Sequence, residues 1–594
     1  MSAFVIEDSS HRPLTERSRL LPSDPPSLTS HSGSSRPAQT SQSSHFNKIL
    51  DRSAPLRDSI SSTRFVIICA GIWSANFVFA FQASAIPTLA PSISSGFNHA
   101  ELGSYLGGVF TLTSAAGSSD AFGMEREYCR SDDCLGRKFA MDTACFFFGI
   151  GTICCALSES IYGLIAARGL AGLGGGGLLT VSSVIVTDLV SLRDRGFYQG
   201  IMMTIFGGGG MLGGPLAGWL TDRYGWPLSF WLQLPIISFC AIIVTIFLPQ
   251  SIIPPTHLSL RSGLASLDWL GSILLLGSVT TLILGFSFHT SYLEPWSAPI
   301  VWGLLLAAAL SMMAFVFVEI KFAAHPIVPM GILKSRHRSA VLASGFFLSV
   351  GTTAFTYQMP AYFSIVVNTS TAQSGVIPSV CGGLGLAMGS MLAGQYIRKG
   401  GAYRLLGILS LVPSVIAPLV ASAWRPNWPW WAYYVTYFPC SLGYSVFLCF
   451  AMISSVDSKS MPKATALLYT VRTLGGTIGV SVGGSIQLGA LNSSLKSSFA
   501  DINNRQDIIT AILHSKSAIR MLPGNLQIRA LDGYASSLAT VWVVCGVIAM
   551  FALVSSCFIK EKELPGKITS TSPVKFTEDA EVVGTFPPDG EVNI

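Results

Sequence analysis

The sequence predicts an all-α polytopic membrane protein, and three observations carry that prediction. Half of the 594 residues are hydrophobic, while only 11% are charged. Mean hydropathy is +0.53, which excludes an ordinary soluble domain. Apolar runs of about 18 residues or more, the length that crosses a bilayer as a helix, recur from residue 65 to residue 558.

The runs fall at 65–90, 101–118, 139–158, 163–187, 197–220, 227–249, 264–287 and 298–319, then at 339–366, 375–397, 402–422, 430–454, 464–488 and 535–558. That makes fourteen spans, the second of them short. Charge fixes their orientation. With the amino terminus cytosolic, inside loops hold Arg137 and Lys138, Arg193 and Arg195, Lys334, Arg336 and Arg338, Arg398, Lys399 and Arg404, Lys459 and Lys463, and Lys560 and Lys562. The short outside loops offer little beyond Arg223 and Arg425. This asymmetry places both termini inside. The last outside loop, about 489–534, is amphipathic and carries five basic residues, but long loops escape the charge rule. Two sequons, Asn368-Thr-Ser and Asn492-Ser-Ser, fall on the outside as possible glycosylation sites.

Residues 1–60 are rich in Ser and Pro, lack an apolar core and read as a disordered cytosolic tail; residues 561–594 read likewise. Within the first tail, Glu16-Arg-Ser-Arg-Leu20-Leu21 is similar to the acidic dileucine signals that adaptor complexes read when routing cargo to vacuoles or lysosomes. The net charge of +6 is modest and sits in short loops, so it sets topology and implies no nucleic-acid partner. Twelve Cys are scattered, many in apolar runs, without zinc-like or secreted-disulfide spacing. No nucleotide loop, metal-ligand spacing or nucleophile–base arrangement is visible, which argues against an enzyme and implies no metal and no cofactor.

The fifth run stands out. Gly210, Gly214 and Gly218 recur every four residues on one helical face, where a neighbouring helix can approach backbone to backbone. Pro215 inside the run removes a backbone hydrogen bond and bends the helix. Arg168 lies deep in the fourth run, where a charge needs a wet cavity or a partner, or caps backbone carbonyls. Arg472 in the thirteenth run lines a cavity or snorkels to the interface. Asn76, Gln82, Tyr357 and Gln358 face a cavity or join helices by hydrogen bonds. Asp268 and Glu319 sit near span ends, where solvated roles are expected.

Asp133-Cys-Leu-Gly136-Arg137-Lys138, Arg168-Gly-Leu-Ala-Gly172-Leu-Gly174 and Gly210-Met-Leu-Gly-Gly214-Pro215-Leu-Ala-Gly218 stand in this order on these spans. Together they resemble the loop 2–3, fourth-helix and antiporter signatures of the major facilitator superfamily, in its fourteen-span fungal proton-antiporter branch, over roughly residues 60–560. Arg195-Gly-Phe-Tyr-Gln199-Gly, Phe230-Trp-Leu-Gln233-Leu-Pro235 and Arg472-Thr-Leu-Gly475-Gly476-Thr-Ile-Gly479 are similar to fungal vacuolar basic amino acid transporters.

The resemblance implies two six-helix bundles around a central site that alternates between the two sides. It implies bundles at 61–250 and 336–560, with two extra spans in 251–335. It implies coupling or substrate electrostatics for Arg168, a gating cluster of Asp133, Arg137, Lys138 and Asp188, and a proton gradient in place of a cofactor. The partners are a small solute, protons and the bilayer. Basic amino acids moving into a vacuole are the first expectation. A plasma-membrane drug or toxin exporter is the alternative, and a non-transporting sensor or inactive paralogue is the reading from another class.

Two departures bear on this. Span one carries Gln82 where relatives usually carry Asp, and Gln82 cannot ionise. Gly117 to Asp132 is a polar segment several residues too long for the loop signature, as a misplaced splice boundary would produce.

Overall fold

Ser61 caps the first helix, its hydroxyl accepting the amide of Arg64, and opens a run that stays helical for 35 residues despite Pro87 and Pro91. Continuous helix is what lipid demands, because an unpaired backbone group has no water to turn to. The computed structural model describes residues 61–119, 137–190, 195–248, 269–290, 294–322, 335–398, 403–454, 461–502 and 505–559, and no strand occurs among them.

The first half comprises α1 (Ser62–Gly96), α2 (Gly103–Ser119), α3 (Arg137–Ala156), α4 (Ile161–Leu189), α5 (Arg195–Tyr224) and α6 (Pro227–Phe247). Next come α7 (Trp269–Thr290) and α8 (Pro299–Lys321). The second half begins with α9 (Arg336–Ala361), prolonged by a π-helical turn at Tyr362–Val366. α10 starts at Thr371–Val376 and passes through a π-helical turn at Ile377–Cys381 into Gly382–Arg398. α11 (Arg404–Ala421), α12 (Trp430–Ser454) and α13 (Met461–Ser498) follow, then the short α14 (Arg505–His514) and α15 (Lys516–Arg520), and finally α16 (Gly524–Cys557).

Thirteen of these helices are long and apolar enough to cross a membrane. α2, with 17 residues, is the remaining helix of the expected fourteen; it takes in the first three residues of the odd polar segment 117–132, and residues 120–136 lie outside the described residues.

The two halves repeat one pairing scheme. α1 packs on α5 and α6, as α9 packs on α13 and α16. α2 packs on α4 as α10 packs on α12, and α3 packs on α6 as α11 packs on α16. Each bundle even closes its first helix with an asparagine in the left-handed conformation, Asn98 at φ 57° and Asn368 at φ 58°. α7 and α8 pair with each other, and α7 also touches α2 and α13. Leu112, Val279 and Ile283 bury that seam.

One expectation needs correction. The outside loop 489–534 is not a loop: α13 runs on to Ser498, α16 begins at Gly524, and α14 and α15 fill the interval. The reason is apolar burial. Leu491, Leu495, Phe499, Ile509, Ile512 and Ile519 form a core of their own beyond the span ends. Glu319 is also not the solvated span-end residue expected, being only 4% exposed.

Candidate translocation cavity

A cavity of about 310 Å3 lies between the halves. α1 supplies Ala80, Ala83, Ser84 and Pro87; α5 supplies Phe206, Gly207 and Gly210. From the other half come Thr352, Thr353 and Thr356 of α9, Ser379, Gly383 and Leu386 of α10, and Tyr437, Ser441 and Tyr444 of α12. Its size suits a small solute. Its surface is mostly apolar, with hydroxyls and aromatic rings set into it and no Asp, Glu, Lys, Arg or His among the described lining residues.

Along each helix, lining residues give way to residues that join the halves. On α5, Gly207 and Gly210 border the cavity, and Gly214, Gly218 and Asp222 follow one turn at a time. A Cβ on Gly214 would meet the Ser379 hydroxyl and, at 2.8 Å, the Gly375 carbonyl. One on Gly218 would lie 2.6 Å from the Ala372 Cα. Only glycine admits α10 this close.

Ser84 and Ser379 share a hydrogen bond of 2.7 Å, and the Gly214 amide donates to the Ser84 hydroxyl at 3.2 Å. Further along, Ser92 and Thr371 bond at 3.3 Å. Asp222 accepts the amides of Thr371 and Ala372 at the α10 amino terminus. On the α2 side, the Tyr357 hydroxyl donates to the Gly103 carbonyl at 2.8 Å, and Thr477 bonds Thr111 at 3.0 Å. The cavity is therefore sealed toward the end of the bundles that carries residues 97–102 and 367–371, the end opposite the amino terminus of α1.

The residues singled out from sequence distribute unevenly around this site. Arg168 is 1% exposed; its Nε donates to the Leu106 carbonyl at 3.1 Å and its guanidinium lies 4.1 Å above the Phe110 ring. Its Nη1 is buried with no partner among the described residues. Gln82 is fully buried, its amide likewise unpartnered, and it does not line the central cavity. Asn76 turns inward on its own helix, donating to the Ile72 carbonyl. Tyr357 and Gln358 border a separate cavity of about 60 Å3 on the sealed side. Arg472 is half-buried with its guanidinium 4.7 Å over the Tyr469 ring.

Of the expected gating cluster, Arg137 and Lys138 open α3, half-buried. Asp133 and the side chain of Asp188 lie outside the described residues. So do Glu16, Leu20 and Leu21, Asp268, and Asp120 to Asp132. Asn368 is exposed, and its Oδ1 accepts from Arg520 at 2.7 Å. Asn492 sits inside α13 with its Oδ1 buried and unpartnered, a placement that suits a packing residue better than a glycan acceptor.

Sequence reasoning missed Ser84, Ser379, Thr356 and Tyr437, the polar lining itself. The available signal was hydroxyl side chains recurring at helical spacing, as in Ser84, Thr88 and Ser92. It also missed Asp222 as a link between halves.

The sequence pattern of the Major Facilitator Superfamily matches residues 72–480. The chain belongs to that superfamily. Among its relatives, the vacuolar membrane amino acid uptake transporter fnx2 of Schizosaccharomyces pombe is 32% identical, over 73% of this chain and 74% of that protein. The multidrug resistance protein fnx1 of the same yeast is 30% identical over 85% of this chain and 94% of that protein. The vacuolar basic amino acid transporter 2 of Saccharomyces cerevisiae is 28% identical over 73% and 94%.

Solved structures share the fold. A bacterial homologue of the human lysosomal transporter Spinster, in an inward-facing, unoccupied conformation, superposes with a TM-score of 0.51 at 14% identity, covering 84% of this chain and 98% of that one. A peptide transporter, POT, in complex with sulfate gives 0.52 at 14% identity, covering 86% and 99%. The superfamily member described here is thus an integral membrane transporter and not an enzyme.

Proposed function

We propose that this superfamily member is a proton-coupled antiporter that moves amino acids from the cytosol into the vacuole, basic amino acids first among them. The observation that carries the reading is the cavity of about 310 Å3, lined from both bundles and sealed on one face by contacts between them. Breaking that layer while closing the opposite end gives alternating access. The relatives' names support the substrate class and the organelle.

The cavity sets how a basic substrate is held. With no carboxylate among the described lining residues, a cationic side chain rests against the faces of Phe206, Tyr437 and Tyr444 and the surrounding hydroxyls, not in an ion pair. Gln82 has no proton to exchange, so coupling falls to another group.

A plasma-membrane exporter of drugs is the second reading, favoured by the uncharged lining and by the likeness to fnx1. Sealed vesicles carrying the protein, with and without an imposed pH gradient, decide between them. Gradient-dependent uptake of arginine, lysine or histidine is the expected result. Uptake of uncharged amphiphiles alone supports the exporter. No gradient-dependent movement of any solute in the panel sinks the transport proposal and leaves the inactive paralogue.

A further inference from the structure

On the sealed face, three metal-ligating side chains meet that sequence separates widely. His99 follows α1, Glu101 lies in the 3₁₀ turn Ala100–Leu102, and His514 ends α14. His99 Nδ1 lies 2.8 Å from Glu101 Oε1, and His514 Nδ1 lies 2.9 Å from Glu101 Oε2. One donor atom from each residue falls within 4.8 Å of the other two. We propose that His99, Glu101 and His514 form a binding site for a divalent transition-metal ion of the Zn2+ class, stapling α14 to the turn after α1.

The donor set argues for that class. Two imidazole nitrogens and one carboxylate oxygen suit Zn2+, with metal–ligand bonds of about 2.0–2.2 Å and a fourth position left for water. Hard ions such as Ca2+ and Mg2+ want oxygen ligands in larger number, and this site offers one carboxylate. Ligand atoms around such an ion stand roughly 3.2–3.6 Å apart, from bonds of that length at tetrahedral angles. Each imidazole nitrogen therefore has to back off its carboxylate oxygen by a fraction of an ångström while the donor set, which spans up to 4.8 Å, draws in around the ion; the two histidine side chains are 40% and 42% exposed and free to make that adjustment. Glu101, by contrast, is 8% exposed and fixed.

The surroundings favour an ion as well. Asn98 adopts φ 57°, a conformation that turns the chain sharply just before His99 and brings it over Glu101. Tyr162 supports the outer ring, its centroid 5.8 Å from that of His99. Below the site lies the cavity of about 60 Å3, bordered by Glu101, Ser94, Ser95, Gln487 and Tyr534, with room for ordered water. Gln487 Nε2 is buried there without a partner, a donor available to such water. Because His514 belongs to the second half and Glu101 to the first, a bound ion would add a link across the sealed face. The site itself does not depend on which solute the transporter moves.

The full chain, purified in lipid nanodiscs and stripped with a chelator, is titrated with Zn2+, and separately with Co2+ as a spectroscopic substitute. The expected result is one Zn2+ per chain, not displaced by excess Mg2+ or Ca2+, and a visible Co2+ band of four-coordinate type. His99→Ala and His514→Ala are each expected to weaken Zn2+ binding at least tenfold and to abolish that band. Both positions are half-exposed, so the metal-free variants are expected to melt with the parent, which separates lost ligation from lost folding. Glu101→Gln, removing the charge at nearly constant shape, is expected to weaken binding too. Absence of stoichiometric Zn2+ uptake by the parent, or unchanged uptake in either histidine variant, overturns the proposal.

Discussion

Asp222 of the first bundle accepts the backbone amide of Ala372 in the second at 3.0 Å, and that of Thr371 at 3.2 Å. The carboxylate caps a helix to which it does not belong, at the amino-terminal end where the dipole favours negative charge. Hydrogen bonds to a charged acceptor are each worth about 1.5–3 kcal/mol. Asp222→Ala is therefore expected to shift the equilibrium away from the sealed state by a factor of roughly 10 to 150 for each bond that is lost. Ser92→Cys, placed in the same layer, reads the change. A membrane-impermeant thiol reagent applied from the sealed face is expected to label that cysteine faster in Asp222→Ala than in the parent; equal rates would remove Asp222 from the seal.

The glycines of α5 separate by what they face. Gly214→Ala and Gly218→Ala insert a methyl against backbone of α10 that has no room to give, at a cost of about 1–3 kcal/mol for overpacking. Both are expected to lose most of their uptake while still reaching the membrane. Gly210→Ala meets nothing within 4 Å and borders the cavity, so it is expected to keep the seal and change substrate affinity at most. Comparable loss in all three would mean the helix face, and not the contact with α10, is what matters.

Outside the membrane, Asp501 pairs with Arg529 at 3.0 Å, tying the connection after α13 to the start of α16. The hydrogen bond from Arg529 holds the Asp501 carboxyl below its usual value of 3.8. A depressed folded-state value means the pair contributes above the unfolded value and is lost as pH falls through the folded one. The tie therefore persists in mildly acidic solution and is lost only in stronger acid, below the ordinary carboxylate value. Hydrogen exchange at residues 499–502 is expected to be alike at neutral and mildly acidic pH and to quicken in stronger acid. Arg529→Ala should show the quickened exchange at every pH.

Arg168 is held by one carbonyl and one ring. Lys at this position keeps the charge but loses the planar stack on Phe110 and the fixed Nε geometry. Arg168→Lys is expected to lower the transport rate at least tenfold with little change in melting temperature. A variant that transports normally would mark the arginine as packing alone.

What sequence revealed followed from the solvent. Lipid forces every span into helix, so runs such as 298–319 announced themselves, and α8 appears at Pro299–Lys321. Gly214 and Gly218 were legible as one face because their spacing matches the helical repeat. Gly209 and Gly213, which admit the α1 backbone at Phe77 and Phe81, carry the same signal but face the other way, and spacing does not say which face meets which neighbour. The helices α14 and α15 were hidden because they are stabilised by burial against α13 and α16, a tertiary effect. His99 and His514 illustrate the limit: 413 residues separate Glu101 from His514, and only the fold makes them neighbours.

The cavity yields the last prediction. Tyr437 OH and Thr356 Oγ1 share a hydrogen bond of 2.9 Å at the boundary of α12 and α9, and both border the space a solute would fill. Tyr437→Phe removes one hydroxyl without changing ring volume, so packing around Phe355 at 5.8 Å is retained. If the ring face holds a cationic side chain, Phe preserves that attraction and the hydroxyl contributes only a neutral hydrogen bond, about 0.5–1.5 kcal/mol. The expected outcome is a rise in KM for the amino acid of roughly two- to tenfold, with kcat little changed. Tyr437→Leu removes the face as well and is expected to raise KM for basic substrates further than for neutral ones. An equal rise for both in Tyr437→Leu would show that the ring fills space and does not select charge.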